Sequence, residues 1–383
     1  MLLEDTDRYA LRRQGRYLYA DFKRPHRVLS TCRVNGGVRE DLTHVANHQS
    51  CEGVGHLVPT GTDLSCEAVH VRACAEVALP SATTALMATA ANMQCAVLGH
   101  AEYADLSVTV AATAGVLSNA TRAGDPAGWH EYPEGSRPLE PAPDSDVSPG
   151  ERGSGTIVTL VFISQPCTPA CLVRAATLVT EGKSTAVLDL RMPSIQSPGL
   201  ATGTGTDQIA IAAPLARDDD WERHWAGGHN TLGELLGRAT HDAVTRCLLL
   251  QNGVCAELRR SLCSALGRHG CHEMALCERA RAELGPETAL LFERNLLAII
   301  HDPQSAAAAY GLAEIMDLTR AGVLHREVAR ESILNQAALL AAAVAVAPER
   351  FAEFRDLLRH RYALEPADLA ALAVVIGFAH KWI

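Results

Sequence analysis

After residue 231 the chain carries no strand signal, and this asymmetry constrains its fold more than any other feature. Apolar residues recur at helical spacing up to Leu250, then over 258–266, 289–300, 306–318, 328–346 and 369–378. Gly285-Pro286, Asp302-Pro303, Pro348 and Glu365-Pro366 punctuate them, because proline suits a helix start and cannot continue a helix already running. An all-helical C-terminal domain of five or six helices is expected over 251–383.

Upstream the texture is different. β-Branched runs at 27–30, 107–112, 156–164, 186–190 and 208–212 alternate with glycine-rich turns and read as strands of a mixed sheet. Residues 81–93 and 168–181 have helical composition, and Thr168-Pro169 supplies a cap followed by proline at the first helical position. The expectation is an α/β or α+β mixed-sheet domain over 1–250. Within it, 131–155 holds five prolines among acids, serines and glycines and reads as a long loop, since a strand pattern resumes at Thr156.

Composition narrows the function classes. With 383 residues, 48% of them hydrophobic, the chain can bury a large core, and a formal net charge of -10 opposes general binding to a phosphate backbone. No nucleic-acid partner is expected. The first 20 residues lack the apolar core of a signal peptide, and the longest apolar run, 337–347, falls short of a bilayer span of roughly 20 residues. A cytoplasmic, membrane-free location is therefore expected. The 12 cysteines then read as mostly buried thiols. Neither Cys167-x3-Cys171 nor the group Cys263, Cys271, His272 and Cys277 has the paired knuckles of a structural zinc site. No metal ligand is assigned, and metal dependence is left open.

Two stretches carry the chemistry: 113–126, Thr-Ala-Gly-Val-Leu-Ser-Asn-Ala-Thr-Arg-Ala-Gly-Asp-Pro, and 201–207, Ala-Thr-Gly-Thr-Gly-Thr-Asp. Both adjoin β-branched runs and are too short and polar to be amphipathic elements, as expected of a polar site at a strand end. Together with Val28-Leu29-Ser30 to Asn35-Gly36-Gly37, Arg39, Asn47-His48, Thr180-Glu181-Gly182-Lys183, and Gly228-His229 leading into 232–238, they resemble the adenosylcobinamide amidohydrolases, in the family's order over about 27–245. The resemblance implies removal of the aminopropanol arm of adenosylcobinamide as an amine, leaving adenosylcobyric acid. It implies a corrinoid as substrate and no cofactor. The long 131–155 loop, the polar and cysteine-rich stretch 51–78 and the helical tail lie beyond the family pattern.

Amide cleavage needs a nucleophile, a proton for the leaving amine and donors for the oxyanion. His48 is the first candidate acid or base, with Asn47 beside it to orient the ring; the bland alternative is a histidine satisfied inside a turn. His229 is similar, at the mouth of the first tail helix. Glu181 and Lys183 close the helix begun at Thr168 and either share a crevice or form a surface pair. Asp207 completes the catalytic set.

Asn35, Arg39, Asn119, Arg122 and Asp125 are candidate substrate contacts, with Asn47, Thr113 and the hydroxyls of Thr202, Thr204 and Thr206. Alternatively Asn35 makes a positive-φ turn, Asp125 pairs with Arg122, and Thr231-x-x-Glu234 is a capping box that gives Glu234 a structural job. Activated water ranks above Cys32 as nucleophile, because nothing near Cys32 lowers a thiol pKa. Two other functions stay open: the same fold redirected to a small adenosylated substrate such as S-adenosylmethionine, by elimination or cyclisation, and a non-catalytic corrinoid binder. The tail is free to cover the pocket, to make a homo-oligomer or to bind a partner.

Overall fold

The computed structural model describes residues 1–51, 65–133, 135–139, 155–217, 220–361 and 363–382. The chain forms two compact units, Met1–Gln196 with Leu200–Cys255, and Ser197–Gly199 with Ala256–Ile383.

In the first unit two mixed sheets stack face to face. One has five strands in the order β1 (Leu2–Asp5), β2 (Tyr9–Gln14), β3 (Tyr17–Phe22), β6 (His44–Gln49), β7 (Thr84–Thr89). The other has six, in the order β5 (Gly37–Arg39), β4 (His26–Ser30), β15 (Gln208–Pro214), β13 (Ile157–Ile163), β9 (Leu106–Ala114), β8 (Val97–Tyr103). Each sheet contains one parallel pair, β6 with β7 and β13 with β15. A parallel pair needs a crossover, and here each is a helix: α1 (Cys66–Glu76) between β6 and β7, α2 (Pro169–Asp189) between β13 and β15.

Strand alternation sorts side chains into layers. On β13, Val158, Leu160 and Phe162 meet Leu11, Leu18, Val45 and Met87 of the other sheet, while Ile157, Val161 and Ile163 face α2 and α3 (Thr231–Asn252). Tyr17, Tyr19 and Ala46 pack on the far side of the five-stranded sheet with Cys74 of α1. The layers therefore run α2 and α3, six-stranded sheet, five-stranded sheet, α1.

Three sequence expectations are corrected. Residues 81–93 form a short 3-10 turn and β7 instead of a helix, because pairing with β6 and burial between layers outweigh the weak helical bias of Ala and Met. Residues 186–190 extend α2 to Asp189 and Leu190 caps it; the apolar run is the buried face of a helix, which periodicity over five residues does not distinguish from a strand. The strands β1 to β3 were absent from the sequence reading; β1 is only four residues long, and in β2 the pair Arg12-Arg13 interrupts the alternation. The remaining strand runs at 27–30, 107–112, 156–164 and 208–212 correspond to β4, β9, β13 and β15. Of the proline-rich stretch, Trp129–Tyr132 (β11) and Gly135–Pro138 (β12) pair as an exposed hairpin, and 140–154 lies outside the described residues.

The second unit is helical: α4 (Leu262–Leu266), α5 (Glu273–Glu283), α6 (Pro286–Arg294), α7 (Leu296–Ile300), α8 (Pro303–Arg320), α9 (Arg326–Ala345), α10 (Phe351–Arg359) and α11 (Pro366–Ala379). Six of the eight have nine residues or more, and the prolines read as helix starts open α6, α8 and α11. Their core is alanine-rich, with Phe292 and Phe354 as its largest fully buried side chains. Among the described residues no helix is long and apolar enough to cross a membrane.

One buried histidine makes the first unit pH-sensitive. His26 is 2% exposed, stacks on Phe22 at 4.2 Å and donates Nδ1–H to the Arg24 carbonyl at 2.7 Å; burial depresses its pKa to about 4. The unfolded chain, titrating near 6.5, takes up a proton first as pH falls, so stability is intact above that pH and declines between 6.5 and about 4. The loss at the bottom of the window approaches about 3 kcal/mol. In urea titrations at pH 7 and pH 4.5, His26→Gln is expected to lose less stability than wild type; equal losses would refute this assignment.

Candidate active site

The two polar stretches meet because β10 (Ala120–Thr121) pairs with β14 (Gly203–Thr204), a two-residue ladder lying beside the start of β15. At its centre Asp207 is fully saturated. Its Oδ1 accepts from Thr204 Oγ1 at 2.6 Å and the Ile157 amide at 3.0 Å; its Oδ2 accepts from Lys183 Nζ at 2.6 Å and the Thr204 amide at 3.0 Å. The Lys183 and Asp207 side chains are only 11% and 14% exposed. Gly203 permits this pair: a Cβ there would lie 2.2 Å from Asp207 Oδ2 and 2.3 Å from Lys183 Nζ.

A second layer of hydroxyls and amides holds the same turn. Thr206 Oγ1 donates to the Gly155 carbonyl at 3.0 Å and shares a 2.8 Å bond with Thr156 Oγ1, while Asn119 Nδ2 donates to the same carbonyl at 2.8 Å. Asp125 closes its own loop, accepting from the Arg122 amide at 2.7 Å and Ser194 Oγ at 2.6 Å. The Arg122 guanidinium donates instead to the Leu200 carbonyl at 3.0 Å, and Thr202 Oγ1 accepts from the Ala123 amide at 2.9 Å. Asp125 and Arg122 thus join through the backbone and not through an ion pair of side chains.

Beside Asp207 opens a cleft of about 460 Å³ between the start of β15 and α1. Thr206 and Asp207 form one wall; His48 of β6 and, from α1, Cys66 and His70 form the others, with Arg33 among the lining residues. His48 is 6% exposed and stacks on Tyr17 at 5.2 Å. The Tyr17 hydroxyl donates to Glu76 Oε2 at 2.7 Å. Burial, aided by that carboxylate, pushes the Tyr17 phenol far above its usual pKa, so it stays protonated against the imidazole. Asn47 does not orient the ring, because adjacent strand residues point to opposite faces: its Nδ2 donates to Thr113 Oγ1 at 2.9 Å in the seam between the sheets. There the Asn47 Oδ1 is buried without a hydrogen-bond partner among the described residues.

His70 and Cys66 were missed by the sequence reading. The only available signal was the spacing Cys66-x3-His70 on a helix, which places both on one face. His70 is 6% exposed, and its Nε2 lies 2.8 Å from the Ser81 carbonyl. A carbonyl only accepts, so Nε2 carries the hydrogen and Nδ1 is the basic nitrogen. Cys66 is the first residue of α1, and Arg33 Nη1 lies 3.7 Å from its Sγ. Cys32, by contrast, is 7% exposed, and burial pushes its thiol up to about 11.

The other sequence candidates stand away from the cleft's described lining. Asn35 has φ +58° and braces the turn, donating to the Ser81 and Thr84 carbonyls at 2.8 and 2.9 Å and accepting from Arg39, which also pairs with Asp41. Glu181 is exposed two residues before Lys183, on another face of a helix that does not end there. His229 is exposed ahead of α3. Glu234 makes no capping box: Asn230 is the cap, its side chain accepting from the Leu232 amide at 3.0 Å, and Glu234 pairs with Arg238 on the surface. Among the described residues no group of three or more His, Cys, Asp and Glu is placed to hold a metal.

This layered domain, with a polar cleft carrying one imidazole from the end of β6 and one from α1, has the equipment of a hydrolase acting through acid–base groups. Its sequence matches the model of the adenosylcobinamide amidohydrolase family over residues 2–256, and the chain belongs to that family. Residues 257–383, nearly all of the second unit, lie outside the match. The chain is also similar to an uncharacterized protein of Methanocaldococcus jannaschii, 28% identical over 238 residues, covering 62% of this chain and 87% of that protein.

Proposed function

We propose that this protein hydrolyses the amide bond joining the aminopropanol arm to adenosylcobinamide, releasing the amine and adenosylcobyric acid. The observation that carries the reading is the cleft itself, in which His48, Thr206 and Asp207, all drawn from family-like motifs, line one space with the second imidazole of His70. An open cleft of about 460 Å³ suits a side arm entering from solvent, with the bulk of the corrinoid outside.

In this mechanism the His48 imidazole takes a proton from the attacking water and returns it to the departing amine, while the unprotonated Nδ1 of His70 accepts a hydrogen bond that orients the water. Arg33 faces the developing oxyanion. The Lys183–Asp207 pair shapes the wall and is a positioning element, since all four hydrogen bonds of its carboxylate are internal. Water remains the favoured nucleophile.

The purified full chain, incubated with adenosylcobinamide, is expected to release aminopropanol and accumulate adenosylcobyric acid by mass spectrometry, with S-adenosylmethionine unchanged in a parallel reaction. No corrinoid turnover would sink the proposal. Loss of turnover in Cys66→Ala, with a substrate-derived thioester trapped on the wild type, would replace water by Cys66.

A further inference from the structure

Three residues outside the two polar stretches and the other family-like motifs stand behind His48: Arg16, Tyr17 and Glu76. Tyr17 and His48 are direct partners across the antiparallel pair of β3 and β6, so both side chains project from the same face of the five-stranded sheet. Their rings stack at 5.2 Å with planes 18° apart, and Tyr17 is only 2% exposed. Stacking alone would let the phenol slide. Its hydroxyl, however, is pinned by donation to Glu76 Oε2 at 2.7 Å.

Glu76 is the last residue of α1 and is gripped in turn by Arg16, which lies in the two-residue turn between β2 and β3. Arg16 Nη2 donates to Glu76 Oε1 at 2.6 Å and Oε2 at 2.7 Å, and Nε donates to Oε2 at 3.1 Å. The guanidinium also lies 5.8 Å from the centre of the Tyr17 ring. Contacts therefore run unbroken from Arg16 through Glu76 and Tyr17 to His48, and they tie the end of α1 to the sheet.

A carboxylate fixed in this way also acts through its charge. Partial burial opposes ionisation of Glu76, but the hydrogen bonds from Arg16 and Tyr17, the Arg16 charge and that of His48 hold its pKa below the usual carboxylate range. The coupling is reciprocal: an anion favoured by His48 favours in turn the protonated imidazole. The other charged and titratable groups around the cleft are already engaged. Asp207, at the start of β15, is matched by Lys183 at 2.6 Å; Arg33 lies 3.7 Å from the Cys66 thiol; and His70 gives its Nε2 hydrogen to the Ser81 carbonyl. The two charges of the Arg16–Glu76 pair bear on His48 with opposite signs, so removing each has a signed consequence.

We infer that Glu76 is the positioning residue that makes His48 the base of this site: through the Tyr17 hydroxyl it fixes the ring on which the imidazole stacks, and its carboxylate stabilises the imidazole once protonated. The inference rests on the amidohydrolase reading for the role of His48. Arg16 sets the strength of the effect by opposing the carboxylate.

Two measurements on the full chain test it. NMR titration of ring-labelled histidines, with the His48 resonance identified by its loss in His48→Gln, reads the His48 pKa without any substrate. The pH dependence of kcat/KM for adenosylcobinamide reads the acid limb, where the base becomes protonated. Glu76→Gln is expected to lower the His48 pKa and move the limb to lower pH. Arg16→Met keeps the stem beside Tyr17 and leaves the carboxylate unopposed, so it should raise both; each shift is expected to be about half a pH unit or more. Both variants break the same ion pair, so a merely structural loss would displace them in the same direction. Tyr17→Phe keeps the stacked ring and removes only its link to Glu76; it should lower kcat with KM little changed. Circular dichroism checks that each variant folds. Shifts of one sign, no shift in either charge variant, or wild-type kcat in Tyr17→Phe would overturn the inference. No turnover by the wild type would instead sink the amidohydrolase reading, and the role of His48 as base with it, even where the NMR shifts hold.

Discussion

Replacing Lys183 by alanine is expected to destabilise the first unit by about 3–5 kcal/mol, because it leaves the Asp207 carboxylate buried without its cation. The geometry supports a value in that range: the pair is 2.6 Å apart and both side chains are nearly nine-tenths buried. Removing both charges, as in Lys183→Met with Asp207→Leu, will not restore stability. The Ile157 and Thr204 amides would then lose their acceptor, and each unsatisfied buried donor costs about 1–3 kcal/mol. Gly203→Ala should act on the same pair from outside, since its Cβ would meet two side-chain ends that are locked to each other. Urea unfolding followed by tryptophan fluorescence is a suitable measurement, three of the four tryptophans (129, 221 and 225, but not 382) lying in this unit. A loss below about 1 kcal/mol for Lys183→Ala would mean that the pair behaves as a solvated surface bridge.

Replacing His48 by alanine is expected to lower turnover of adenosylcobinamide by about 10²–10⁴, the usual contribution of a positioned acid or base. The effect should fall on kcat, with KM little changed, if the ring moves protons and does not simply hold substrate. His48→Gln keeps more of the volume stacked on Tyr17 and should be equally slow, which separates lost chemistry from lost packing. His229→Ala is the internal contrast: exposed and outside the described lining of the cleft, it should turn over within a few-fold of wild type. Comparable losses at His48 and His229, or a loss under tenfold at His48, would remove His48 from the mechanism.

The candidate site was legible where its parts are local. The turn glycine at 203 and the hydroxyls and carboxylate of 202–207 were recognisable as a polar strand-end loop, and the positive φ of Asn35 followed from an Asn-Gly-Gly turn. Lys183 could not be placed, because whether an ammonium near a predicted helix end is solvated depends on how far that helix runs and what packs on it. Once α2 continues to Asp189, Lys183 is an interior residue and Glu181 a surface one. His70 was invisible for a related reason: α1 has almost no amphipathic contrast, and only its seat against β7 brings its histidine to the cleft.

Sequence alone determined the division into a strand-rich part and a helical tail, the starts of α2, α6, α8 and α11, and the polar, turn-forming character of the stretches 113–126 and 201–207. Each of these is written in neighbouring residues, through proline's fixed φ, glycine's freedom, and apolar period. Tertiary structure alone decided that residues 84–89 are a strand, that Asn47 and His48 serve different layers, and that Lys183 meets Asp207 rather than Glu181. Those outcomes depend on pairing and burial between segments far apart in the chain, where the free energy of closing a layer exceeds the local preferences of any one segment.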